Sequence, residues 1–307
     1  METRKIGTLD VSVIGLGTNN FGSRLDEGQT GDVLDAAIDN GINFIDTADM
    51  YGGSNSETYI GNLLGARREK VVLATKFGMS LGGQPAGGSP AYLRSAVEES
   101  LRRLQTDFID LYIYHRPDPE VPIVETLGAM GELVDEGKVR ELGCSNFSAE
   151  QLKEAEANGQ DGRPRFVNVQ NSYSLLQRSP EEGVLAECVR QGIGFVPYSP
   201  LVGGLLSGKY RKGAPMPEGT RIALQPEERR QATLSDANLE AVAKLTTYAE
   251  AQGHTMLDLA MSWLLAQPAV SSVIAGASNL EQVRANVASA HWTMSTADLS
   301  AIDQILS

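Results

Sequence analysis

Read as apolar and polar positions, the chain repeats one motif along most of its length. Short, nearly continuous apolar runs alternate with longer runs whose apolar residues recur at helical spacing. The strand-like runs are VIGLG (13–17), INFID (42–46), VVLATK (71–76), FIDLYIYH (108–115), VRELGCS (139–145), FVNVQ (166–170), GFVPYS (194–199) and SSVIAG (271–276). Runs that are apolar on both faces suit parallel strands covered from both sides. Helices are expected at Val33–Asn40 behind a cap at Thr30, and at Ala91–Leu104 behind Ser89 with a proline in the first turn. Others are expected at Val124–Glu136 up to Gly137, at Leu152–Ala157 behind Ser148 with Gln151 completing a capping box, and at Glu182–Arg190 up to Gly192. A last helix is expected near Thr296–Leu306.

Eight strands alternating with helices, without a long linker, predict a (β/α)8 TIM barrel spanning 1–307 as a single domain. The alternative is an open doubly wound sheet. Its usual mark is a G-x-G-x-x-G turn after the first strand, and GLGTNNFG places Gly15, Gly17 and Gly22 at the wrong spacing. Two stretches break the rhythm. Arg4–Val13 reads as a short β-hairpin capping the barrel bottom. Leu201–Thr233 is a long loop after strand 7, rich in Gly, Pro and basic residues, and expected over the top face where barrel sites sit.

Composition narrows the function classes. The chain has 307 residues, 41% apolar and 21% charged, enough to bury a large core. A net charge of −13 disfavours bulk binding to nucleic acid or to an anionic membrane. An anionic ligand would need a local cluster of positive groups. No run approaches a membrane span, no apolar signal core opens the chain, and Cys144 and Cys188 form no metal or disulfide motif, so a cytoplasmic protein with reduced thiols is expected.

In a barrel, residues at the C-terminal strand ends converge on one site. Strand two ends at Asp46 with Tyr51 in the turn beyond, strand three at Lys76 and strand four at His115. Singly, these residues read as a turn acid, a packed phenol, a solvated amine and a structural imidazole. Together they solve one chemical problem. A phenol titrates near 10 and is a poor acid at neutral pH; an adjacent ammonium stabilises its phenolate and lowers that value. A carboxylate holds the ammonium, and an imidazole orients a carbonyl oxygen.

The stretches NFIDTADMYG, LATKFG, DLYIYH, GCSN, VQNSYSLL, PYSPLVGGLLSGKY and GASNLEQVRAN resemble, in order, those of the aldo-keto reductases. The resemblance runs from Gly15 to the C-terminus. It implies a barrel, a nicotinamide cofactor without metal, and reduction of a small aldehyde or ketone to an alcohol. Tyr51 is then the general acid, Lys76 tunes it, Asp46 holds Lys76, and His115 positions the carbonyl. Relatives with Glu in place of His115 reduce carbon–carbon double bonds, so His115 points to carbonyls. Ser145, Asn146 and Gln170 would bind the carboxamide, and Tyr198 would stack on the nicotinamide. Gly17, Thr18 and Asn19 would lie near the nicotinamide. Ser199, Pro200, Leu201 and Gly203 follow strand 7 into the long loop, where Lys209 and Arg221 would meet the phosphates.

Gly203 to Tyr210 also fits G-x-x-x-x-G-K, but Tyr210 stands where a phosphate-binding loop needs Ser or Thr. Gly276, Ser278 and Gln282 would contact the 2′-phosphate end and Asn286 the adenine. The resemblance implies NADPH; Asn279 and Ala285 depart from the basic and acidic residues many members carry there, which keeps NADH as the alternative. The pocket would be lined from Phe21, Tyr51, Phe77 and 116–122. The short segment after the last helix predicts an open pocket. A nicotinamide-binding sensor or partner-binding subunit, as in potassium-channel β-subunits, is the competing function. An aldolase with Lys76 as a Schiff-base amine is a remote third.

Overall fold

The structure, a computed structural model, describes residues 1–79, 87–159 and 164–307. The chain enters through an antiparallel hairpin, β1 (Thr3–Ile6) and β2 (Leu9–Ser12). Eight parallel strands follow: β3 (Ile14–Gly17), β4 (Phe44–Asp46), β5 (Val72–Phe77), β6 (Ile109–Tyr114), β7 (Val139–Ser145), β8 (Phe166–Ser172), β9 (Gly194–Tyr198) and β10 (Val273–Gly276). From β3 to β9 each pairs with the next, and β10 pairs back onto β3. The remaining seam closes just before β10, where Phe195 N–H donates to Ala269 O at 2.8 Å and Ser271 N–H to Phe195 O at 2.9 Å. This is a (β/α)8 barrel with an N-terminal hairpin, as expected.

Side chains alternate between its two faces, as strand geometry requires. One apolar cluster joins Phe44, Ala74, Leu111, Ile113, Val196 and Ile274 inside the barrel to Ile6, Leu9 and Val11 of the hairpin. A larger cluster between strands and helices takes Ile45, Phe77, Tyr112 and Tyr114. The inward series therefore leads from Phe44 to Asp46, from Ala74 to Lys76 and from Ile113 to His115. Polar residues at the top are the continuation of an apolar interior.

The expected caps at Ser89 and Ser148 are present; Ser148 forms a full capping box with Gln151. The first helix is longer than expected, Glu27–Asp39, and its cap is Asp26, boxed with Gln29. Thr30 lies buried inside it. The expected helix at Glu182–Arg190 is broken at Gly183 (φ 140): a 3-10 turn, Ser179–Glu182, precedes the helix Val184–Gln191. Helices at Asn55–Leu64, Asp236–Ala251 and Met256–Leu265 had no counterpart in the sequence reading. The long loop is partly helical, with a 3-10 segment at Val202–Ser207 and a helix at Glu227–Thr233. Among the described residues, no helix is long and apolar enough to cross a membrane.

Candidate active site

Asp46, Tyr51, Lys76 and His115 meet at the C-terminal mouth of the barrel. Asp46 and Lys76 are almost completely buried, and Lys76 Nζ lies 2.6 Å from Asp46 Oδ1. The same ammonium donates to Thr47 O at 2.7 Å and lies 3.5 Å from the Tyr51 hydroxyl. Gln170 Nε2 donates to the other oxygen of Asp46 at 2.7 Å. The carboxylate is thus gripped from both sides and the ammonium has one free direction, toward Tyr51. The Tyr51 and His115 rings meet edge-on with centroids 6.1 Å apart. Gly52 makes the Tyr51 turn possible: its φ is 58°, and a Cβ there would sit 2.4 Å from Phe21 O.

Burial governs the electrostatics. Burial pulls Lys76 down, but Asp46 and Tyr51 together outweigh it and leave the ammonium above its ordinary range. Burial raises the Tyr51 phenol; Lys76 pulls it back without overcoming burial, so the net direction is up. The sequence-based expectation of a lowered phenol thus holds for the Lys76 contribution and fails for the sum. Burial, then Lys76 and Arg116, bring the His115 imidazole down to about 3, leaving it neutral. Its Nδ1 is buried without a hydrogen-bond partner among the described residues. Asp49, two residues before Tyr51, is 1% exposed with neither oxygen partnered among the described residues, and burial followed by Glu57 pushes it up to about 7.

These groups open into a cavity of about 780 Å³. All the residues expected at the cofactor line it: Gly17, Thr18 and Asn19 after β3, Ser145 and Asn146 after β7, Gln170 on β8, and Tyr198 to Leu201, Gly203, Lys209 and Arg221 beyond β9. Gly276, Ser278, Gln282 and Asn286 complete the opposite end. Tyr198 donates its hydroxyl to Asn146 Oδ1 at 2.8 Å, and Asn146 Nδ2 donates to His115 O at 2.9 Å. That chain ties three strand ends together. Asn146, Ser199 and Val202 hold positive φ values of 62°, 55° and 49°, conformations that non-glycine residues keep only where surroundings enforce them. Ser278 N–H and Oγ–H both donate to Gln282 Oε1, at 2.9 and 3.1 Å, at the start of the helix Leu280–Ala288.

Two expectations about the pocket are corrected. Phe21 and Phe77 are fully buried and do not line it. Phe77 follows Lys76 on one strand, so it must face outward, where it stacks on Tyr112 and Tyr114 at 4.8 and 5.2 Å. Of 116–122, only Arg116 lines the cavity. Residues 218–221 form part of its wall, with Arg24 donating to Gly219 O at 2.9 Å and Arg221 to Asn19 Oδ1 at 3.4 Å. Arg24 was missed because it stands in an unpatterned loop far in sequence from Lys209 and Arg221. Burial lowers both of those cations, and Arg24 adds to the effect as a like charge.

Comparison with known proteins shows the family. The profile of the family described as "Aldo/keto reductase family" matches residues 13–307. The chain is similar to the "Probable aldo-keto reductase 1" of Glycine max, 36% identical over 97% of this chain and 87% of that protein. It is also similar to the "L-glyceraldehyde 3-phosphate reductase" of Escherichia coli O157:H7, 35% identical over 89% of this chain and 82% of that protein. The "Probable voltage-gated potassium channel subunit beta" of Arabidopsis thaliana is 35% identical over 94% of this chain and 90% of its own length.

Proposed function

The chain belongs to the aldo/keto reductase family, and from that premise we propose that it reduces a small aldehyde or ketone to the alcohol with NADPH, using Tyr51 as proton donor. The observation that carries the reading is the buried chain Gln170–Asp46–Lys76–Tyr51, which ends beside a neutral His115 at the floor of the cavity.

The residues present fit a nicotinamide dinucleotide. One end of the cavity offers amide donors and acceptors at Ser145, Asn146 and Gln170, with the Tyr198 ring beside them, suited to a carboxamide and a flat ring. The wall formed by Arg24, Lys209 and Arg221 is positive in a chain of net charge −13, which suits phosphates. The N-terminus of the helix Leu280–Ala288, with Ser278 and Gln282, suits a further phosphate, and Asn286 an adenine. The positive wall favours NADPH; NADH is the alternative. When bound, the cofactor supplies hydride to the carbonyl carbon.

The protein's own residues handle the oxygen. A phenol raised by burial is protonated at neutral pH and has a proton to give. The Lys76 ammonium stabilises the phenolate left behind, in a site where burial strengthens the attraction. Asp46 and Gln170 keep that ammonium from relaxing away. Neutral His115 donates a hydrogen bond that aligns the carbonyl oxygen with the Tyr51 hydroxyl.

The test compares wild type with Tyr51→Phe in consumption of NADPH and of NADH with an activated aromatic aldehyde. Loss of proton transfer is expected to lower kcat roughly 10²- to 10⁴-fold while NADPH binding persists. Equal rates in the two proteins would sink the Tyr51 role. A second reading, a nicotinamide-binding sensor or partner-binding subunit with little turnover, is motivated by the similarity to the channel β-subunit. Tight NADPH binding without turnover by the wild type would select it.

A further inference from the structure

The chain has three histidines. His115 stands in the candidate active site; the other two meet on the outer helical layer. His254 lies in the turn between the helices Asp236–Ala251 and Met256–Leu265, Asp258 in the first turn of the second, and His291 just beyond the helix Leu280–Ala288. We propose that His254, Asp258 and His291 form a site for one divalent cation of the zinc class.

The geometry is that of two imidazoles and a carboxylate gathered into one small space. One ligand atom from each residue lies within 4.8 Å of the others. Tetrahedral zinc with bonds of about 2.0–2.2 Å holds its ligands about 3.4 Å apart. Binding therefore draws the groups together by somewhat over an ångström, a movement that exposed His291 accommodates by rotation. Water completes the coordination. Two nitrogens and an oxygen are a donor set for zinc, copper or nickel rather than for magnesium or calcium.

The supporting contacts are those such ligands need. His291 Nδ1 sits against Ala288 O, which selects the Nδ1–H tautomer and leaves Nε2 with its lone pair for an ion. Thr255 N–H donates to Asp258 Oδ2 at 2.8 Å, fixing the carboxylate. The His254 ring lies flat on Trp292, centroids 4.1 Å apart and planes within 10°, so its orientation is set by packing. Trp292 in turn stacks on Tyr248, whose hydroxyl donates to Asp298 Oδ1 at 2.7 Å. The two rings are 5.5 Å apart, and His254 Nδ1 is 4.0 Å from Asp258 Oδ2, too long for a hydrogen bond. The three groups thus converge without bonding one another. An ion here would pin the helix carrying Leu257 to the end of the helix carrying Gln282 and Asn286, three residues of the cavity wall.

The experiment is calorimetric titration of chelator-treated, full-length protein with Zn²⁺, repeated on His254→Asn and His291→Asn, with thermal unfolding in parallel. One equivalent is expected to bind to wild type and raise Tm, with affinity at least about tenfold weaker in each variant. Because His291 is exposed, His291→Asn tests the site without disturbing the Trp292 stack, and circular dichroism checks that both variants are folded. Absence of Zn²⁺ binding by wild type overturns the proposal. So does wild-type affinity in either folded variant, which would place the ion elsewhere, at His115 or the cysteines.

Discussion

Replacing Asp49 by Asn should favour the folded state increasingly as pH rises and stabilise the protein at neutral pH and above. The carboxyl is 1% exposed and neither oxygen has a hydrogen-bond partner among the described residues. The cation that offsets this most, Arg103, is already committed to Glu57 at 2.7 Å. Burial and Glu57 raise the group from 3.8 to about 7. The folded state therefore binds more protons than the unfolded state between those values, and wild-type stability falls as pH rises through that window. The penalty is absent below the unfolded value and complete above the folded one. Three units at 1.36 kcal/mol each give a ceiling of about 4 kcal/mol. Asn has the shape of the protonated acid but does not ionise. It carries its own cost for an unpaired buried amide, about 1–3 kcal/mol, which does not vary with pH. The difference between the two proteins should therefore shift in favour of Asp49→Asn by about 2–3 kcal/mol between pH 5 and pH 8.5. Urea unfolding of both proteins across that range measures it. A difference independent of pH would refute the reasoning and mean that Asp49 is ionised and compensated in the folded state.

Other expectations follow from the same site. Asp46→Asn and Lys76→Met should each cost about 3–5 kcal/mol by leaving a buried charge alone, while the double variant costs far less than their sum; a double-mutant cycle in urea reads the coupling, and additivity would deny the pair. Because His115 is depressed to about 3 from 6.5, it should give no limb near 6.5 in the pH profile of kcat, and the stability it costs on acidification should appear as pH falls from 6.5 toward 3. An acid limb near 6.5 that disappears in His115→Asn would contradict this. Arg221→Ala should weaken binding of NADPH and of NADH alike, roughly 10- to 100-fold, as loss of a charged hydrogen bond does; unchanged affinity for both would remove Arg221 from the phosphate wall.

Some of the misplacements were readable in advance. Once Lys76 is taken to face the barrel interior, a period of two sends Phe77 outward, and its exclusion from the pocket follows. Asp26 with Gln29 is as good a capping box on paper as Ser148 with Gln151, and it was obscured by the weak apolar pattern of the first helical turn. Arg24 is different. Nothing local distinguishes it from any solvated arginine, and its value comes from Lys209 and Arg221, which reach it only when the long loop folds across the barrel mouth.

The sequence by itself determined the staves and their ends. Eight nearly continuous apolar runs set the strand ends in order, and once side chains alternate along each strand, Asp46, Lys76 and His115 fall on the inward series. Tertiary structure decided everything that depends on packing between elements of unrelated pattern: the clasp of the long loop over the cavity, the unpartnered carboxyl of Asp49, the net rise of the Tyr51 phenol, and the meeting of His254, Asp258 and His291. Periodicity specifies a side chain's direction within its own element. Burial, dielectric and cross-element distance are properties of the assembled fold, and they set which of those directions carry charge, strain or a ligand.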